Sequence, residues 1–289
     1  MKSLPFPPIG LYEKALPADF PLEDKIKQAK SAGFDFMELS IDESPEFLSR
    51  LDCPTSERSK IRRFTQQNDL PLFSLCLSAQ RRFPLGSADP AIRTKSKEIL
   101  AKAIQLASDL AIRVILISGY WVFYEPVLPS SEDYFIEGLA WGARLAARSG
   151  VMLGIENIDS HAQINSIRQI MKVIRIIDSP WLKIYGDFAN LAAFGFNVSA
   201  ELAVGQGHIV AIHVKDAVQN EVRGIPLGQG IVDFPAAFNQ LADINYSGPF
   251  LLEMWSQTGQ DAFTSASHAL QTTRNYLSAS AYGTADPNN

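Results

Sequence analysis

Eight short apolar runs recur along the chain, each nearly continuous in hydrophobic character, as in strands covered on both faces. They are IGLYEKA from Ile9, FDFMELSID from Phe34, LPLFSLCLSA from Leu70, RVILISGY from Arg113, VMLGIENID from Val151, LKIYGDFAN from Leu182, IVAIHVKD from Ile209 and GPFLLEMWS from Gly248. Between them lie segments such as LEDKIKQAKSAG and AIRTKSKEILAKAIQLASDL, whose apolar residues return every three or four positions. That spacing predicts amphipathic helices. Gly33 and Gly150 stand just past two helical segments, where a left-handed C-cap is expected. Strand–helix alternation implies right-handed crossovers and a parallel sheet. Eight regular units predict closure into a (β/α)8 TIM barrel, with residues 1–289 forming a single domain, rather than an open doubly wound sheet. The segment from Ser278, ending SASAYGTADPNN, is expected to fray.

Four of the runs end on a potential metal ligand: Glu156, Asp187, His213 and Glu253. Successive members are 31, 26 and 40 residues apart, about the length of one βα unit. In a closed barrel the C-terminal strand ends converge on one mouth, where such folds do their chemistry. Three carboxylates and an imidazole meeting there repel one another unless a positive charge lies between them. Any one of these residues reads equally well as a solvated loop acid or a core histidine. At four equivalent strand ends, the set points to a single divalent ion. Oxygen-rich ligation with one imidazole suits Mn²⁺, Co²⁺, Zn²⁺ or Mg²⁺ rather than a closed thiolate zinc site.

Composition narrows the field. The 289 residues are 46% hydrophobic and 20% charged, ordinary globular values, and the net charge of −5 offers no basic footprint for nucleic acid. Cys53 and Cys76 lack CxxC spacing, and the N-terminal MKSLPFPPIG has no apolar signal core. No run approaches the roughly 18 apolar residues that span a bilayer. The expectation is a cytoplasmic protein with no membrane or nucleic-acid partner.

The chemistry such a site favours is proton transfer next to a carbonyl. An ion chelated by a hydroxy-ketone stabilises the enediolate left when the α-proton departs. Glu156 and Glu253, from the fifth and eighth runs, are placed to act as acid and base from opposite faces, which inverts a carbon. Proton return to the adjacent carbon gives aldose–ketose isomerisation instead.

The segments IGLYEKALP, CLSAQRRFPLGS, ENID and INS, YGDFAN, HVKD, GQGIVDF and LLEMWS, in that order from Ile9 to Trp255, resemble the L-ribulose-5-phosphate 3-epimerases. That group was often labelled hexulose-6-phosphate isomerase and sits within the xylose-isomerase-like barrels. The resemblance implies a carbohydrate-phosphate 3-epimerase that inverts C3 of a ketopentose phosphate. It carries the metal ligands onto Glu156, Asp187, His213 and Glu253, with the two glutamates doubling as acid and base, and a substrate contact onto Arg223. Two departures stand out. Gln80 replaces a histidine expected before the double arginine, and Ala189 replaces the glycine of a D-x-G-N turn that keeps Asn190, itself expected to contact substrate.

Arg81 and Arg82, directly after the third strand, are candidates for the phosphate, because the guanidinium matches it bidentately. A solvated arginine pair reads the same way. Lys215 and Asp216 are expected as an ion pair near the metal or a substrate contact, and the amides of Gly228 and Gly230 in PLGQG as a further anion site. Trp121, Phe123 and Trp255 are expected near the mouth, as water shields or as part of a homodimer edge. Rival readings are a sugar isomerase of the hexulose-6-phosphate or hydroxypyruvate type, a dehydratase on the same core, a multi-zinc DNA-repair endonuclease and a non-catalytic sugar-phosphate binder. The endonuclease needs many histidines, and the chain has four: His161, His208, His213 and His268.

Overall fold

A computed structural model describes residues 4–158 and 163–282, so His161 lies outside the described residues. The eight apolar runs form eight parallel strands: β1 (Ile9–Tyr12), β2 (Phe36–Ser40), β3 (Leu72–Cys76), β4 (Val114–Ser118), β5 (Met152–Glu156), β6 (Leu182–Asp187), β7 (Ile209–Val214) and β8 (Phe250–Leu252). They pair in sequence order, and Ile9 to Leu11 of β1 against Phe250 to Leu252 of β8 closes the barrel. Helices follow the strands and cover the outside, the longest being Pro90–Leu110, Ser131–Ser149 and Ala262–Ser278.

Strand alternation divides the apolar residues into two cores. Leu11, Leu39, Leu75, Ile115, Leu153, Ile184 and Ile212 face the helices in the larger one. Tyr12, Phe36, Cys76, Leu116, Tyr185, Ala211 and Leu251 form the smaller cluster, on the opposite strand face that lines the barrel interior. This two-residue period decides the site. Asp187, His213 and Glu253 share the parity of Tyr185, Ala211 and Leu251, so they project inward at the top of the barrel.

The helix ends follow local chemistry. Gly33 and Gly150 cap their helices at φ 93° and 68°, the left-handed conformation expected of them. Ser166 and Gln169 make a reciprocal capping box that starts the helix Ile167–Ile177. The segment from Ser278 departs from expectation. It is packed as far as Tyr282, which is buried and whose hydroxyl donates to the Tyr246 carbonyl (2.6 Å). Among the described residues, no helix is long and apolar enough to cross a membrane.

Candidate metal centre

Each ligand-type residue reaches the mouth by its own device. Glu156 and Asp187 are the last residues of β5 and β6, His213 is the penultimate residue of β7, and Glu253 follows β8 directly. Asp187 also caps the short helix Phe188–Ala193, its Oδ1 accepting from the Asn190 amide (2.9 Å). That bond leaves Oδ2 free to face the cluster. Asn157 clamps the same strand end, donating to the Asp187 carbonyl (3.0 Å) and accepting from its amide (2.9 Å).

The four ligand atoms lie within 4.8 Å of one another, and all four residues are buried. His213 Nδ1 is 3.0 Å from Glu156 Oε1, 3.6 Å from Glu253 Oε2 and 3.7 Å from Asp187 Oδ2. Lys215 is the cation among them. Its Nζ donates to Glu253 Oε2 (2.5 Å) and stands 2.8 Å from Asp187 Oδ2, outside hydrogen-bonding geometry. Asp187 Oδ2 is thus met by the Lys215 ammonium as an ion pair. Three carboxylates and one imidazole converging within 4.8 Å, with a single lysine among them, fit a divalent ion held by Glu156, Asp187, His213 and Glu253.

Electrostatics agree with the geometry. Burial, helped by the Glu253 charge and opposed by His213, pushes the Glu156 carboxyl up to about 7. Burial works against the His213 imidazolium, but the surrounding carboxylates of Glu253, Glu38, Asp187 and Glu156 hold its proton on well above the usual range. Burial likewise disfavours charged Lys215, and Asp187 and Glu253 more than offset it.

The residues expected to touch substrate separate into two groups. Arg81 turns inward toward Tyr120, Cys76 and Glu156 and packs against Phe123, its guanidinium 5.6 Å from the ring centroid. Arg82 is exposed, beside the Phe83 ring. Arg223 lies over the Trp255 ring at 4.6 Å, and Lys215 lies over the same ring at 5.8 Å, so Trp255 joins them beside Glu253. Asn190 is spent on structure, its side-chain amide donating to the Asn157 carbonyl (2.9 Å). Gln80 is buried with Nε2 unpartnered. Ala189 is fully buried behind Asp187.

Two expectations fail. Asp216 does not pair with Lys215; its carboxylate accepts from the amides of Ala217, Gly228, Gly230 and Val232 at 2.8 to 3.2 Å. The PLGQG amides are thus already occupied by an internal anion and are not open to a substrate. Gly230 is required there, because a Cβ would come within 2.2 Å of Asp216 Oδ1 and of the Ala217 carbonyl. The mouth aromatics Trp121, Phe123 and Trp255 are half-buried rather than an exposed rim. The exposed apolar residues nearby are Tyr124, Val127 and Leu128.

Glu38 is the residue that sequence reasoning missed. It lies inside β2, fully buried, with Oε1 3.2 Å from His213 Nε2. The signal was a single acid in the otherwise apolar core of FDFMELSID.

Comparison with known proteins places the chain. The family described as the xylose isomerase-like TIM barrel matches residues 26–276. The L-ribulose-5-phosphate 3-epimerases UlaE of Shigella boydii serotype 18 and Escherichia coli O157:H7 are each 42% identical over 254 residues, covering 88% of this chain and 89% of theirs. A solved L-ribulose 3-epimerase superposes with a TM-score of 0.81 at 20% identity, covering 98% of this chain and all of the other. A D-psicose 3-epimerase from Clostridium cellulolyticum H10, solved with D-tagatose, gives 0.80 at 18% identity over 93% of this chain and 99% of its own. At those identities the structures speak for the fold, whereas the curated relatives speak for the family. The chain belongs to the xylose isomerase-like TIM-barrel family, in the group of the L-ribulose-5-phosphate 3-epimerases.

Proposed function

We propose that this protein is a metal-dependent isomerase that inverts C3 of a ketopentose phosphate, interconverting L-ribulose 5-phosphate and L-xylulose 5-phosphate. The observation that carries the reading is the pair of carboxylates, Glu156 and Glu253, held within one buried four-ligand cluster by strands on opposite sides of β6 and β7. The substrate class comes from the UlaE relatives. When bound, a divalent ion supplies positive charge that lowers the cost of negative charge developing on the substrate's oxygens.

The remaining work falls to the chain. Glu156 and Glu253 approach C3 from opposite faces, one taking the proton and the other returning one. Lys215 holds Glu253 Oε2 in place by donating to it. Trp255 and the Tyr120–Phe123 pair, with ring centroids 5.2 Å apart, wall the mouth against water. Arg81, the inward member of its pair, takes the phosphate.

The test is isotopic. Turnover of L-ribulose 5-phosphate in D₂O should place solvent deuterium at C3 of the epimer, and Glu156→Gln or Glu253→Gln should slow the reaction by about 10² to 10⁴. Epimer without solvent deuterium would overturn the two-base assignment in favour of a hydride shift. An aldose product would move the reading to an aldose–ketose isomerase on the same core.

A further inference from the structure

We propose that Glu38 is the positioning residue of the centre, selecting the His213 tautomer that offers Nδ1 to the ion. The inference rests on the metal reading above. Glu38 stands in the middle of β2 with the parity of Phe36 and Ser40, so it points into the barrel interior beneath the mouth. It is fully buried, and both its oxygens are engaged. Oε2 accepts from the Ser74 hydroxyl (2.7 Å) and from the Tyr185 hydroxyl (2.8 Å). Oε1 faces His213 Nε2 at 3.2 Å.

This bonding pattern dictates proton positions. A carboxylate already receiving two hydroxyl hydrogens on one oxygen acts as an acceptor on the other, so Nε2 carries the hydrogen between Glu38 and His213. In a neutral imidazole, Nδ1 is then bare, and Nδ1 is the atom surrounded by Glu156, Asp187 and Glu253. The ring plane is fixed as well. Tyr185 sets its edge against the imidazole, centroids 4.6 Å apart at 62°, while its hydroxyl holds Glu38. Ser74, Tyr185, Glu38 and His213 thus form one chain of contacts from β3, β6, β2 and β7 that ends on a ligand atom. A carboxylate behind a ligating histidine both orients it and strengthens it as a donor.

The experiment measures Zn²⁺ affinity of the chelator-stripped full chain by competition with a chromophoric chelator, and records imidazole ¹⁵N signals of the Zn²⁺-loaded protein. Wild type should show His213 metal-bound through Nδ1 and protonated at Nε2. Glu38→Ala should weaken Zn²⁺ binding about 10–100-fold. Glu38→Gln should lose less, because its carbonyl still accepts from Nε2–H, and Tyr185→Phe less again. If Glu38→Ala does not fold, Glu38→Gln and Tyr185→Phe carry the comparison, and Zn²⁺ affinity equal to wild type in both overturns the proposal. So does unchanged affinity in a folded Glu38→Ala protein, or coordination through Nε2. A wild-type chain that takes up no Zn²⁺ overturns the metal reading and this inference together, whereas wild-type uptake with unaffected variants overturns this inference alone.

Discussion

The early and late halves of the barrel treat buried charge in opposite ways. In the β1–β2 region Glu13 and Asp42 each have a cation of their own. Glu13, fully buried, takes Arg50 at 2.7 and 2.9 Å, and Asp42 takes Lys14 at 2.5 Å. In the β5–β8 region, three acids and an imidazole crowd within 4.8 Å around one lysine. A buried charge that is matched one to one belongs to the fold. A buried excess of one sign belongs to whatever arrives to balance it.

The sharpest way to break that contrast is to remove a late-half ligand. His213→Ala or Asp187→Ala should abolish divalent-ion retention and, with it, activity, while circular dichroism and melting show the barrel intact. Exhaustive chelation should likewise stop wild-type turnover until Mn²⁺ or Co²⁺ is returned. Full activity after chelation would mean that the clustered acids serve another purpose. The early-half counterpart is Arg50→Ala, which strands Glu13 without its cation. It should cost about 3–5 kcal/mol of stability in a denaturant titration. Ion affinity of the protein that remains folded should be unchanged.

Much of this division was legible in the sequence, and the reason is periodicity. Glu156, Asp187, His213 and Glu253 end apolar runs, so the barrel hypothesis alone brings them together, and the structure does so. Glu38 and Ser74 were invisible as a pair, because nothing in FDFMELSID or LPLFSLCLSA says that two inward positions on neighbouring strands share a hydrogen bond. Of the two readings of Lys215, an ion pair with its chain neighbour Asp216 or a substrate contact, the first fails because successive residues of an extended chain point to opposite faces. Its partners, Asp187 and Glu253, come from the flanking strands. The arginine pair was split by the same logic of direction: adjacency in sequence does not carry over to a shared pocket.

That split sharpens into a substrate test. Arg81→Ala should weaken binding of the phosphorylated ketose by about 10–100-fold, the loss of one or two charge-assisted hydrogen bonds, and leave handling of the free sugar as it was. Arg82→Ala should change neither. Equal losses on both sugars would make Arg81 a packing residue of the β3–β4 rim.

The smallest expected effect is on pH. After chelation, with Glu156 raised to about 7, the folded site should hold a proton below that pH, and His213 another. Both must leave for an ion to bind, so affinity should fall as pH drops through 7, by about tenfold per pH unit for each proton displaced. Titrations between pH 6 and 8 in buffers of different ionisation heat would register the released protons. A flat profile would mean that neither Glu156 nor His213 gives up a proton to the ion.

The four amides gathered by Asp216 have a consequence for redesign. One side chain fixes both where the segment after β7 leaves the barrel and where it rejoins, at Ala217 and at Val232. The stretch between, which carries Arg223 against Trp255, is therefore a replaceable cassette with anchored ends. New loops of similar length, grafted there with Asp216, Gly228 and Gly230 retained, would alter what the mouth accepts without moving His213 or Lys215 on the strand below.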